Sequence, residues 1–177
     1  MGLSHITEFA VIHSLPIKTL AACDGRYPTP DEERSILDWA ASVPKRLQAA
    51  NLIAQKETEI VREAIEQMKP RYSRFAPQHD RAWDKAARDM ALVLRYTVQG
   101  MIVDDGDMPS AKVFVWVRSL LRGTGHTPQL IRDMYGAMIE ATRRQLPADL
   151  IERVQPHLER MIVEMCNFAE PMQQAVN

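Results

Sequence analysis

Apolar residues in this chain recur every three or four positions, and no segment alternates apolar and polar residues for long enough to indicate a strand. Spacing of this kind places apolar side chains along one face of an α-helix. The chain contains only seven glycines. Its length of 177 residues suits a single domain with a sizeable core. The pattern therefore predicts an all-α protein of seven or eight helices in one domain.

Two Thr-Pro pairs predict where helices begin. Thr29 can cap a helix whose first residue is Pro30, and the three acidic residues that follow lie at the positive end of the helix dipole. Thr127 and Pro128 predict a second helix start by the same argument. The longest uninterrupted helix is expected over about residues 80–103.

Two N-terminal stretches carry apolar residues at helical spacing. The first extends from about Ser4 to Ala22 and is interrupted at Pro16, which breaks or bends a helix. The second lies in the helix that begins at Pro30. Its predicted buried stripe consists of Ile36, Trp39, Ala40, Val43 and Leu47. The first stretch needs another surface to cover it, so a homo-oligomer, most simply a dimer, is expected.

Charge and composition argue against several classes of protein. A net charge of −1 lacks the basic excess of a nucleic-acid-binding protein. No apolar run reaches the length of a membrane-spanning helix, and the N-terminus does not resemble a signal peptide. The two cysteines, Cys23 and Cys166, form no zinc or redox motif, which favours a reducing, cytoplasmic setting. We therefore expect a cytoplasmic protein without nucleic-acid or membrane contacts.

Motifs for catalysis and metal binding are also missing from the sequence. It contains no Gly-rich phosphate loop, no GxSxG and no HExxH. Asp104, Asp105 and Asp107 cluster but lack the calcium-loop pattern and its final glutamate, so they predict a solvated turn. The sequence thus predicts a non-enzyme without a metal site.

Three stretches, in matching order and spacing over about residues 20–165, resemble phycobiliproteins, the antenna subunits of cyanobacteria and red algae. Residues 24–32 (DGRYPTPDE) resemble the Gly-Arg-aromatic turn that opens the family's first globin helix. Residues 85–89 (KAARD), with Leu-Arg-Tyr at 94–96, resemble its Cys-x-Arg-Asp segment. Residues 117–128 resemble its Val-Arg-Glu helix and the Thr-Pro turn after it.

The resemblance implies an all-α, globin-like fold of the phycobiliprotein type with two N-terminal extension helices. On this basis residues 1–24 form a helical extension and residues 25–170 the globin core of one domain spanning 1–177. The family tends to carry an aspartate that pairs with a partner subunit three residues before the Gly-Arg turn. Ala22 occupies that position here, so the resemblance implies that the family's usual subunit pairing lacks this carboxylate.

The resemblance also implies a pigment, held without a covalent bond. The family's bilin-attaching cysteine falls at Ala86, so a thioether cannot form there. Arg88 is then expected to bind a propionate and Asp89 the ring nitrogens of a bilin of the biliverdin or phycocyanobilin type. The leading hypothesis is a carrier, buffer or sensor of this small-molecule tetrapyrrole.

The residues themselves suit that chemistry. An arginine fork matches a carboxylate in two hydrogen bonds, and a carboxylate near pyrrole nitrogens favours their protonated form. Lys85 shares a helix face with Arg88 and is a further propionate candidate. The candidate walls are aromatic: Trp83, Tyr96 and Trp116.

Other interpretations stay open. Lys85 and Arg88 could belong to a solvated helix face, paired at i,i+4 with Asp89 and Asp84 respectively, and Trp116 could belong to the core. A haem would need an axial ligand, for which the candidate histidines are His5, His13, His79, His126 and His157. A third hypothesis is an interaction module that keeps the fold and binds no pigment.

Overall fold

The computed structural model describes residues 15–74 and 81–168, and this part of the chain contains α-helices and no strand. The main helices are α1 (Leu15–Ala22), α2 (Pro30–Met68), α3 (Ala82–Val103), α4 (Val115–Gly123), α5 (Pro128–Gln145) and α6 (Ala148–Met165). A helical turn, Asp107–Pro109, and a π-helical stretch, Ser110–Phe114, lead into α4. The all-α prediction is confirmed. The predictions for the first 14 residues and for His79 lie outside the described residues.

Both predicted Thr-Pro helix starts are confirmed. The Glu32 amide donates to Thr29 Oγ1 at 3.4 Å, and the Glu32 carboxylate accepts from the Thr29 amide at 2.7 Å, which forms a capping box. At the start of α5, Thr127 Oγ1 accepts from the Leu130 amide at 3.1 Å. These caps satisfy backbone amides at the first turns of α2 and α5.

The core lies where the C-terminal half of α2 packs against α3, α5 and α6. Its largest fully buried side chains are Phe114, Tyr135, Ile60, Ile131, Leu94, Leu150, Leu158, Met68, Met90, Met101, Met138 and Met161. The methionines fill this interior because an unbranched thioether adapts to irregular gaps.

The predicted burial of the first half of α2 is wrong. Ile36, Trp39 and Val43 are only half-buried, Ala40 is exposed, and Leu47 is 44% exposed. A 39-residue helix is roughly 58 Å long, so α2 extends past the helices that form the core. Helix α1 packs on it there and leaves much of this face open.

A buried arginine ties the middle of α2 to the end of α3. The Arg46 guanidinium donates to the carbonyl oxygens of Met101 and Ile102, each at 3.3 Å, and to that of Trp39 at 3.1 Å. Its carbon also lies 5.1 Å from the centre of the Trp39 ring. Burial lowers the pKa of Arg46, an effect that the charge of Asp104 opposes. The orphan carbonyls at the end of α3 are satisfied in this way.

The acidic turn after α3 differs from its prediction as a solvated turn. Asp105 is 2% exposed, and its carboxylate accepts from the amides of Asp107 at 3.0 Å and Met108 at 3.3 Å. A short side chain that bonds the backbone two and three residues ahead stabilises a turn. Asp105 therefore folds inward to start the next helical turn.

Candidate ligand-binding cleft

A cleft of about 240 Å³ opens between α3, the end of α4 and α5. Helix α3 contributes Ala82, Lys85, Ala86, Arg88 and Asp89. The end of α4 and the loop after it contribute Leu120, Leu121, Thr124 and His126, and α5 contributes Ile131, Met134 and Tyr135. The cleft thus combines apolar walls with a few polar groups, as small-molecule sites do.

Helix geometry explains what α3 presents to the cleft. Ala82, Ala86 and Asp89 follow at intervals of four and three residues and lie on one face. The two alanines are buried and make a shallow floor, whereas Asp89 keeps 17% of its side chain exposed. Lys85 and Arg88 flank this face and are exposed. Lys85, Arg88 and Asp89, the three polar residues that the sequence predicted as ligand contacts, therefore all lie at this one cleft.

Arg88 and Asp89 bind each other at the edge of the cleft. Nε and Nη2 of Arg88 donate to Oδ1 of Asp89 at 3.0 and 2.9 Å. Asp84 pairs instead with Arg81, at 3.1 Å. The solvated-face interpretation expected i,i+4 partners for Asp84 and Asp89, and the structure gives both residues different ones.

The wall opposite α3 contains two residues that sequence analysis did not place there as a pair. Tyr135 is 2% exposed, and its pKa is raised by burial first, then by the charges of Asp89 and Cys166. Leu121 is also buried and lines the same cleft. Both occupy the apolar face of their helix, so their spacing indicates only burial and not a ligand site.

One histidine of the described residues lines the cleft. His126 Nδ1 lies 2.9 Å from Thr124 Oγ1 in the loop after α4. His157 lies elsewhere, half-buried on α6 beside Thr97 and Phe114. The structure thus brings one of the candidate axial ligands to the same cleft as Arg88.

The three predicted aromatic walls do not line this cleft. Trp83 lies in a second groove, between α2 and α3, together with Val61 and Glu57. Tyr96 is half-buried against the core. Trp116 is 57% exposed, so its alternative placement in the core is wrong, because α4 turns Val117 and Leu121 inward and Trp116 outward.

Neither cysteine lines the cleft. Cys23 is buried near α1, and Cys166 is half-buried at the end of α6. Within residues 15–74 and 81–168, no group of three or more histidine, cysteine, aspartate or glutamate side chains could hold a metal ion. No helix in the same ranges is long and apolar enough to cross a bilayer.

Comparison with known proteins gives a consistent result. Residues 19–165 match the phycobilisome protein family. The allophycocyanin alpha-B chain of Pyropia yezoensis is 28% identical over 144 residues, which cover 77% of this chain and 88% of the relative. The allophycocyanin alpha-B chain of Porphyra purpurea is 27% identical with the same coverage. The matched region includes all of α2 to α6 and therefore the whole described cleft.

Proposed function

The chain belongs to the phycobilisome protein family, and from this premise we propose that its cleft binds a bilin without a covalent bond. The observation that carries the proposal is the position of Ala86 between Lys85, Arg88 and Asp89 in the cleft lining. The resemblance places the pigment-attaching cysteine of related proteins at Ala86. The polar groups for a pigment are thus retained where the covalent anchor is absent.

The charged side chains of the cleft suit the two kinds of polar group in a bilin, its propionates and its pyrrole N–H groups. Arg88 and Lys85 lie at the exposed rim, where propionates can keep part of their hydration. Asp89 is more enclosed and can accept hydrogen bonds from pyrrole N–H groups. A carboxylate in that position favours the protonated, cationic form of the rings.

The size of the cleft bears on the role of the protein. Pockets that enclose drug-sized ligands measure about 300–1,000 Å³, and this cleft measures about 240 Å³. A bilin bound here keeps part of its surface outside the cleft. Partial enclosure and the missing thioether both favour exchange of the pigment, so we propose a carrier, buffer or sensor and no catalytic role.

Co-expression with bilin-producing enzymes tests the proposal directly. The purified protein should show a structured visible band that collapses to free bilin after acid denaturation, and solvent should extract the pigment. Pigment that stays on the denatured chain would contradict non-covalent binding. A folded but colourless protein would contradict pigment binding and favour an interaction module instead.

Haem is the second candidate ligand, because His126 lies in the lining of the same cleft. An imidazole can serve as an axial ligand of haem iron. Haem binding would give a Soret band that His126→Ala abolishes. A Soret band that survives this substitution would exclude His126 as the ligand.

We also propose that the protein works as a cytoplasmic homodimer. Ile17 and Leu20 on α1 are 46% and 54% exposed, and Leu37 on α2 is 67% exposed. These side chains lie in the part of the molecule where α2 extends past the core. A second copy that covers them would bury apolar surface that is otherwise in water.

A further inference from the structure

The hydroxyl of Tyr135 is a polar group in the cleft that the proposed function does not use. The residue is 2% exposed and lines the cleft from α5, one turn after Ile131. Within residues 15–74 and 81–168, the hydroxyl is not an enclosed polar atom left without a partner, a description that fits Trp39 Nε1 alone. As part of the cleft lining, it can donate a hydrogen bond to a ligand that enters the cleft.

Asp89 lies near this hydroxyl but does not bind it. Its charge is one of the causes that raise the pKa of Tyr135, while its Oδ1 accepts from Arg88. Because burial acts in the same direction, the phenol stays protonated at neutral pH and can donate. The cleft thus presents a donor from α5 and an acceptor from α3 to the same ligand.

We propose that Tyr135 is a positioning residue whose hydroxyl donates a hydrogen bond to a lactam carbonyl oxygen of the pigment. This inference rests on the proposed function. The terminal rings of a linear tetrapyrrole are lactams, and each places a carbonyl beside an N–H along the edge of the molecule. A carboxylate can only accept and a protonated phenol can donate, so Asp89 and Tyr135 complement such an edge. The ligand class is therefore a tetrapyrrole with a free lactam.

The rigidity of α5 makes this contact selective. Thr127 caps the helix, and Ile131 and Tyr135 are buried in the core. A donor held in this way has little freedom to lose when the ligand binds. Conversion of the lactam into an O-alkyl lactim ether adds bulk at the oxygen and removes the adjacent N–H, so it should weaken binding.

Removal of the hydroxyl alone tests the inference. The full-length protein is titrated with biliverdin, and Tyr135→Phe is compared with Tyr72→Phe. Tyr72 is a matched control because its hydroxyl donates to Asp133 Oδ2 at 2.6 Å, and neither residue lines the cleft. Tyr135→Phe should weaken binding roughly three- to tenfold and shift the infrared lactam carbonyl band of the pigment to higher frequency. Tyr72→Phe should change neither.

The outcomes separate this inference from the proposed function. A wild-type protein that binds no biliverdin overturns the proposed function itself. Biliverdin binding with equal affinity and an equal carbonyl band in both tyrosine variants overturns only the role of Tyr135. Should Tyr135→Phe fail to fold, wild-type protein titrated with the lactim ether decides, and affinity equal to that for biliverdin overturns the inference.

Discussion

Arg88 donates from both Nε and Nη2 to one oxygen of its neighbour Asp89, at 3.0 and 2.9 Å. Adjacent residues on a helix do not face each other, so the long arginine side chain folds back to make this contact. The resemblance assigns these two residues to different parts of a bilin. A ligand with a carboxylate and N–H donors would replace this ion pair by two new contacts. Arg88 would bind the carboxylate of the ligand, and Asp89 would accept from its N–H groups.

Arg88→Gln should weaken binding of biliverdin roughly tenfold, because a charge-assisted contact to a propionate is lost. It should leave the affinity for biliverdin dimethyl ester nearly unchanged, because the ester has no carboxylate for the arginine. Titrations followed by absorbance give both constants. Arg62→Gln is the control. The Arg62 guanidinium pairs with the Glu66 carboxylate at 2.9 Å, and neither residue lines the cleft. An equal loss for the ester would contradict a propionate role.

Ala86→Cys should convert reversible binding into covalent attachment. Ala86 is 8% exposed and lines the cleft, so a thiol there lies against the bound pigment. With a bilin that carries an ethylidene or vinyl group, thiol addition should leave pigment on the denatured chain, visible by fluorescence with zinc in a gel. The unchanged protein is the control, since its Cys166 is half-buried and does not line the cleft. It should therefore retain no pigment after denaturation. Failure of Ala86→Cys to retain pigment would contradict the position of the ligand.

Local signals predicted the helices, and contacts between distant segments determined the rest. Thr29 and Thr127 cap their helices as expected because a cap involves only the next three residues. The burial of Leu47 was predicted wrongly because spacing shows which face is apolar and not whether another helix covers it. The polar residues of α3 were predicted from one motif. Tyr135 was missed because it comes near Asp89 only when α3 and α5, which are distant in sequence, both pack on α2.

The stability of the protein should fall between neutral and mildly acidic pH because of His157. Burial lowers its pKa, the charge of Asp104 acts against this, and the cations Arg46 and Arg160 act with burial. The unfolded chain therefore binds a proton at His157 more readily than the folded chain. The contribution of neutral His157 to the free energy of unfolding is complete above about pH 6.5, the pKa of histidine in the unfolded chain. This contribution is lost as pH falls toward the lower pKa of His157 in the folded protein.

Urea unfolding of the wild type and His157→Gln between pH 7.5 and 5 measures this effect. The slope of unfolding free energy against pH should be smaller in the variant, by up to about 1.4 kcal/mol per pH unit. Carboxylates with lowered pKa values, such as Glu32 at about 2, lose their protons well below this range. Equal slopes in the two proteins would show that His157 titrates alike when folded and unfolded.

The exposed face of α1 and α2 should hold two copies of the chain together. Leu37→Arg puts a charge at a side chain that is 67% exposed, and a dimer that buries it should dissociate to a monomer on sizing with light scattering. Val163→Arg on α6 is the control, because Val163 is also apolar and is 69% exposed but lies on a different helix. Deletion of residues 1–22 should act like Leu37→Arg or cause aggregation. A full-length protein that is already monomeric would show that no second copy covers this face.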